Sequence, residues 1–111
     1  MNYNLYKIRN KINGRCYIGF TSRSIDKRFS EHCNAPATHR FISSIIRRFG
    51  AENFSVNHLA TFRNESIARY FELFFILKEK TFYPNGYNIS CAGDKARFLA
   101  LKLTGKQNEL F

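Results

Sequence analysis

The feature that most constrains this chain is an Asn13-Gly14 pair between two short runs rich in alternating apolar and polar residues. Residues 3–10 set Tyr, Leu, Tyr and Ile against Asn, Lys and Arg, and residues 15–20 return as Arg-Cys-Tyr-Ile-Gly-Phe. Asn and Gly both tolerate the positive φ of a type I′ turn, so the pattern predicts a β-hairpin. A symmetric two-residue turn would place residue 10 opposite 17 and residue 8 opposite 19. Side chains alternate along a strand, so Tyr6, Ile8, Tyr17, Gly19 and Thr21 are expected on one face. Gly19 would open space there for a ligand. The simpler reading is packing alone, since a cross-strand aromatic pair stabilises a hairpin by about 0.2–1 kcal/mol.

The remaining elements follow from caps and periodicity. Ser24 is placed to cap a helix from about Ile25 to Cys33, and Asn34-Ala35-Pro36-Ala37 breaks it. A second helix is expected from about His39 to Phe49, with Phe41, Ile42, Ile45, Ile46 and Phe49 at helical spacing and Gly50 at its end. Phe54 to Phe62 reads as a third strand, with Phe54, Val56 and His58 on one side. Asn64 caps a third helix of about Glu65 to Lys80, then Pro84-Asn85-Gly86 turns and Tyr87-Asn88-Ile89 extends. In the tail, Asp94 is read as the cap of a short helix through Leu103, with Gly105 at its end. The expected fold is α+β: a small three-stranded antiparallel sheet flanked by helices, in the order β-β-α-α-β-α. Residues 1–90 would form the domain. Residues 91–111 would be a tail whose Phe98, Leu99, Leu101, Leu110 and Phe111 pack on it or at a dimer interface.

Composition narrows the partner. The 111 residues suit one domain, and 44% are hydrophobic. The net charge of +10 is uneven: residues 1–50 carry ten Lys/Arg and two acids, residues 51–111 eight and six. The first half therefore faces a polyanion. The longest apolar run, Phe74 to Leu77, is far too short to span a bilayer, so no membrane role is expected. No secretory signal is read from the opening residues. Cys16, Cys33 and Cys91 are odd in number, widely spaced and lack a C-x-x-C, which argues against a zinc ribbon or disulfide framework. Reduced thiols and a cytoplasmic setting are expected.

Three polar residues occupy places where an ordinary helix would carry apolar groups. Ile25, Arg28, Phe29 and His32 fall on one helical face. An Arg there can present a fork of donors to a phosphate, and a His can move protons near neutral pH. Glu72 lies within the stripe formed by Ala68, Phe71, Phe75 and Ile76. A buried lone carboxylate needs a cation, either a divalent metal or an Arg such as Arg28. Asn88 reads most simply as a turn-stabilising amide.

Together these residues resemble the GIY-YIG nuclease family over roughly residues 4–90. Tyr17-Ile18-Gly19 stands as one half of the signature. The other half appears as Asn4-Leu5-Tyr6, with Asn for Gly and Leu for Ile, and Lys11 to Arg15 resembles the linker between them. Arg28-Phe29-Ser30-Glu31-His32 matches the family's Arg-x-x-x-His. Phe49-Gly50-Ala51-Glu52-Asn53-Phe54 resembles its Phe-Gly-x-x-Asn-Phe connection, and Gly86-Tyr87-Asn88 its Gly-Tyr-Asn close. Glu72 falls where a metal-binding glutamate is expected.

The resemblance implies a Mg²⁺-dependent endonuclease that leaves 5′-phosphate and 3′-hydroxyl ends on DNA, most simply double-stranded, of the phage or mobile-element homing type. Glu72 would hold one Mg²⁺ or Mn²⁺ per site. Arg28 would neutralise a nonbridging oxygen, and one tyrosine would be the general base. Tyr6 is favoured, with His32 accepting its proton and Tyr17 positioning it. A phenol needs help to lose a proton, from the metal, Arg28, Lys7 or Lys27. Asn88 would hold the helix end and a tyrosine in place. Lys7, Arg15, Gly19, Arg23 and Lys27 are expected to contact nucleic acid. The short tail implies low intrinsic sequence specificity, and the protein would act as a monomer or homodimer. The rivals are an inactive basic nucleic-acid-binding module of the same fold, and an RNA-directed or structural role that stacks bases on aromatics.

Overall fold

The computed structural model describes residues 1–35 and 40–89. The expectations for Pro36, Ala37, His39 and the tail, including Cys91, Asp94, Phe98, Leu99, Leu101, Leu103, Gly105, Leu110 and Phe111, lie outside the described residues. Strand β1 (Tyr3–Asn10) and strand β2 (Cys16–Thr21) are followed by helices α1 (Ile25–Asn34) and α2 (Phe41–Phe49), strand β3 (Phe54–Phe62) and helix α3 (Glu65–Glu79). The strands form one antiparallel sheet in the order β2-β1-β3. Class and element order are those expected.

The hairpin differs from its expected form. Of its loop residues, only Gly14 has positive φ, at 77°, so Asn13-Gly14 is not a type I′ turn. Gly14 N–H donates to the Asn10 carbonyl at 2.7 Å and Asn10 N–H to the Arg15 carbonyl at 2.9 Å, closing a longer loop. The Asn13 side chain braces that loop instead. Its Oδ1 accepts from Arg15 N–H at 3.0 Å and its Nδ2 donates to the Tyr87 hydroxyl at 3.1 Å. Tyr6 accordingly pairs with Gly19 and Ile8 with Tyr17, two positions away from the symmetric register. A slip of two preserves side-chain parity, so Tyr6, Ile8, Tyr17, Gly19 and Thr21 still share a face.

That face carries the larger core. Tyr6, Ile8 and Phe54 pack with Ile42, Ile46 and Tyr87, and Tyr17, Ile25, Phe29 and Val56 flank them. Fully burying one such aliphatic side chain is worth about 1.5–3 kcal/mol. On the other face Ile18 meets Leu73 and Ile76 of α3. Ala68 and Ile76 are buried and Glu72 lies between them at four-residue spacing, so the carboxylate does sit in the buried stripe. Phe71 and Phe75 are only half-buried, and Phe71 stacks on Phe62 with centroids 4.9 Å apart. His58, opposite Tyr6, shares the face of Phe54 and Val56 as expected but is exposed on the edge strand. Leu5 pairs with Ala60 but Tyr6 with His58, a bulge that inserts Leu59, and exposed His58 bonds Thr61 Oγ1 at 2.7 Å.

Local signals set the helix ends. Ser24 Oγ accepts from Lys27 N–H at 3.2 Å, and Asn64 Oδ1 from Ile67 N–H at 3.1 Å. Each cap contributes about 0.5–2 kcal/mol. Helix α2 starts at Phe41, which leaves Arg40 in the cap position without a side-chain cap bond. Among the described residues, no helix is long and apolar enough to cross a membrane.

Candidate active site

The strand register brings Tyr6 over Gly19. A Cβ at residue 19 would lie 2.5 Å from the Tyr6 hydroxyl oxygen, so the glycine makes room for the phenol and not, as expected, for a ligand. The Tyr6 hydroxyl is hydrogen-bonded to His32 Nε2 at 2.9 Å. The Tyr17 ring lies 6.3 Å from that of Tyr6 and edge-on to His32 at 5.6 Å. Strand parity supplies the two tyrosines, and the Ser24-capped helix supplies the histidine on the face that Ile25 and Phe29 bury.

Burial sets the protonation states. It pulls the His32 pKa down to about 4, with the charges of Arg28 and Arg40 acting in the same direction. At neutral pH the imidazole is therefore uncharged, and Nε2 can accept a hydrogen bond from the Tyr6 hydroxyl. Burial pushes both phenols up, and the charge of Arg28 counters this at each. The Tyr17 phenol is also raised by the charge of Glu72, which places that carboxylate near the rings.

Glu72 is half-buried, and burial raises its pKa to about 7 against the opposing charges of Arg69 and Arg40. Arg28 is not its ion-pair partner: the Arg28 side chain is 20% exposed and its guanidinium lies 3.6 Å from Glu31, which also binds Arg23 at 2.6 Å. Among the described residues Glu72 makes no ion pair, and no three acidic, His or Cys side chains cluster for a metal. A single desolvated carboxylate suits a hard dication such as Mg²⁺, which keeps several waters and takes the rest of its shell from a substrate phosphate.

The other expected site residues separate into support and surface. Asn88 is buried and clamps β2: its Oδ1 accepts from Ile18 N–H at 2.9 Å and from Thr81 Oγ1 at 2.7 Å, and its Nδ2 donates to the Ile18 carbonyl at 2.9 Å. It thereby holds the strand between Tyr17 and Gly19. Lys7 pairs across the sheet with Ile18, on the α3 face opposite Tyr6, and its ammonium lies 3.6 Å from Glu79. Arg15 is exposed in the hairpin loop and Lys27 is exposed on α1. Arg23 lines a cleft beside the site together with Arg28 and Arg40.

Arg40 was not anticipated, although its charge acts on Tyr17, His32 and Glu72. The available signal was the apolar pattern of α2, which begins at Phe41 and leaves Arg40 off the helix end. The bond from Asn10 Nδ2 to the Tyr87 hydroxyl, 3.0 Å, is a second unforeseen support.

The family profile described as the GIY-YIG catalytic domain matches residues 2–88. This chain belongs to the GIY-YIG family. The solved catalytic domain of intron endonuclease I-TevI, a point mutant, is similar in fold, with a TM-score of 0.61 and 22% identity over 83% of this chain and 97% of that one. No match was found among curated protein sequences. The GIY-YIG assignment makes the chain a nuclease domain, with DNA as the substrate this implies.

Proposed function

We propose that this GIY-YIG domain is a Mg²⁺- or Mn²⁺-dependent endonuclease that hydrolyses one strand of double-stranded DNA per encounter. The observation that carries the reading is the 2.9 Å bond between the Tyr6 hydroxyl and His32 Nε2, with the charges of Arg28 and Glu72 both acting on that phenol. Arg28 donates to a nonbridging oxygen of the scissile phosphate and offsets the charge that builds there. Tyr6 takes a proton from the attacking water while passing its own to His32 Nε2. The water oxygen bonds phosphorus as the P–O3′ bond breaks, and the departing 3′ oxygen is protonated from solvent. The ends are a 5′-phosphate and a 3′-hydroxyl. Tyr17 orients the reacting pair, and Asn88 keeps β2 in register beneath it. A dication held by Glu72 would supply positive charge to the phosphate and the leaving oxygen.

In this reading residues 1–90 make up the nuclease domain. Sequence specificity is low, the enzyme works as a monomer or homodimer, and its type is that of phage and mobile-element nucleases in a cytoplasmic setting. Free thiols at Cys16 and Cys33 suit reducing conditions. The test is supercoiled plasmid with wild type and Glu72→Ala, in Mg²⁺ and in EDTA. Nicking by wild type in Mg²⁺ alone, lost in Glu72→Ala, is expected. Nicking retained by the variant removes Glu72 as the metal ligand, and a gel shift without nicking makes the domain a binder only.

A further inference from the structure

Beside the reacting groups runs an open cleft of about 320 Å³, walled by Tyr3, Phe20, Thr21, Arg23, Arg28 and Arg40. Its charges are not equivalent. Arg23 and Arg28 share the carboxylate of Glu31, at 2.6 and 3.6 Å. Glu65, the one acid on the wall, is taken by Arg69 at 3.0 Å. Arg40 has no acidic partner among the described residues. Among the described residues the cleft is therefore left with one guanidinium outside any ion pair, that of Arg40, exposed at the start of α2, with its charge acting on Glu72 from farther off.

Arg28 belongs both to the reacting cluster and to this wall, so the cleft is continuous with the site. Arg40 lines the same cleft as Arg28, and its charge is felt at Tyr17, His32 and Glu72. A strand whose scissile phosphate sits on Arg28 must send a neighbouring phosphate past it. An Arg without a protein partner presents a planar fork that matches a phosphodiester.

We infer that the cleft is a second phosphodiester subsite, in which Arg40 binds a phosphate next to the scissile one on the same strand. The inference rests on the reading of Arg28 as the scissile-phosphate clamp. A backbone contact of this kind fixes the strand's path and carries no base information.

Binding measured in EDTA separates this subsite from cleavage. The wild type, Arg40→Ala and Arg40→Lys are titrated with a DNA duplex over a range of salt, and then with duplexes carrying a neutral methylphosphonate at each linkage flanking the cut. Arg40→Ala should bind about tenfold more weakly at low salt. Its slope of log affinity against log salt should fall by about 0.9, and Arg40→Lys should restore most of that slope. In Mg²⁺ its loss should fall mainly on KM, whereas Arg28→Ala loses kcat. One flanking methylphosphonate should weaken the wild type by a similar factor and leave Arg40→Ala indifferent. Equal sensitivity of wild type and Arg40→Ala at both linkages, or an unchanged salt slope, overturns the subsite. A wild type that binds with this pattern but cuts nothing in Mg²⁺ would refute the nuclease reading and leave the subsite standing.

Discussion

Tyr6 and Tyr17 differ in where a proton can go. Tyr6 has a neutral imidazole at hydrogen-bond distance, whereas Tyr17 meets the same ring only through an edge-on contact. Tyr6→Phe should lower the single-turnover cleavage rate by about 10²–10⁴-fold, and Tyr17→Phe by less. A larger loss at Tyr17 would transfer the role. Two titrations oppose each other in the metal-free protein. His32 is held below its usual 6.5, at about 4, so its contribution to stability is present above 6.5 and lost as pH falls toward 4. Glu72 is raised from 4.5 to about 7, so its contribution is present below 4.5 and lost as pH rises toward 7. Mg²⁺ should therefore raise the melting temperature at pH 8 and have little effect at pH 5. Equal shifts at both pH values would count against Glu72 as the ligand. The shared face of the tyrosines was legible because strand parity survives a register error of two. The reach of Arg40 was not, because it depends on how the end of α2 is set against the sheet, which no local pattern encodes.

Strand β2 shows how far the elements depend on one another. Its Gly19 lies under the Tyr6 phenol and its Ile18 backbone is held on both sides by Asn88. Gly19→Ala should cost about 1–3 kcal/mol through overpacking and break the Tyr6–His32 bond. Chemical denaturation with a cleavage assay on the folded variant checks this. Unchanged activity would mean that the phenol can shift without consequence. The caps at Ser24 and Asn64 were readable because each acts over three residues. The turn at Asn13 misled because its side chain bonds Tyr87, 74 residues away. Asn88 read as a local turn amide for the same reason: its partner strand is remote in sequence.

At the scale of the molecule, one Arg28–Glu72 site per chain should make one cut per visit. On supercoiled plasmid, open circles should accumulate before linear product at low enzyme concentration. Linear product appearing directly, with a steep dependence on concentration, would mean that two protomers act together. The half-to-half charge imbalance follows the fold, since α1, the first two strands and Arg40 all belong to the basic half and all border the cleft or the site. The Asn88 clamp, finally, bears on the order of synthesis. β2 emerges early, and the amide that fixes it is added 70 residues after Ile18. A nascent chain can thus carry both tyrosines, Arg28 and His32 long before their strand is fastened. Residue 88 must therefore be in place before the Ile18 backbone of β2 can be fastened on both sides.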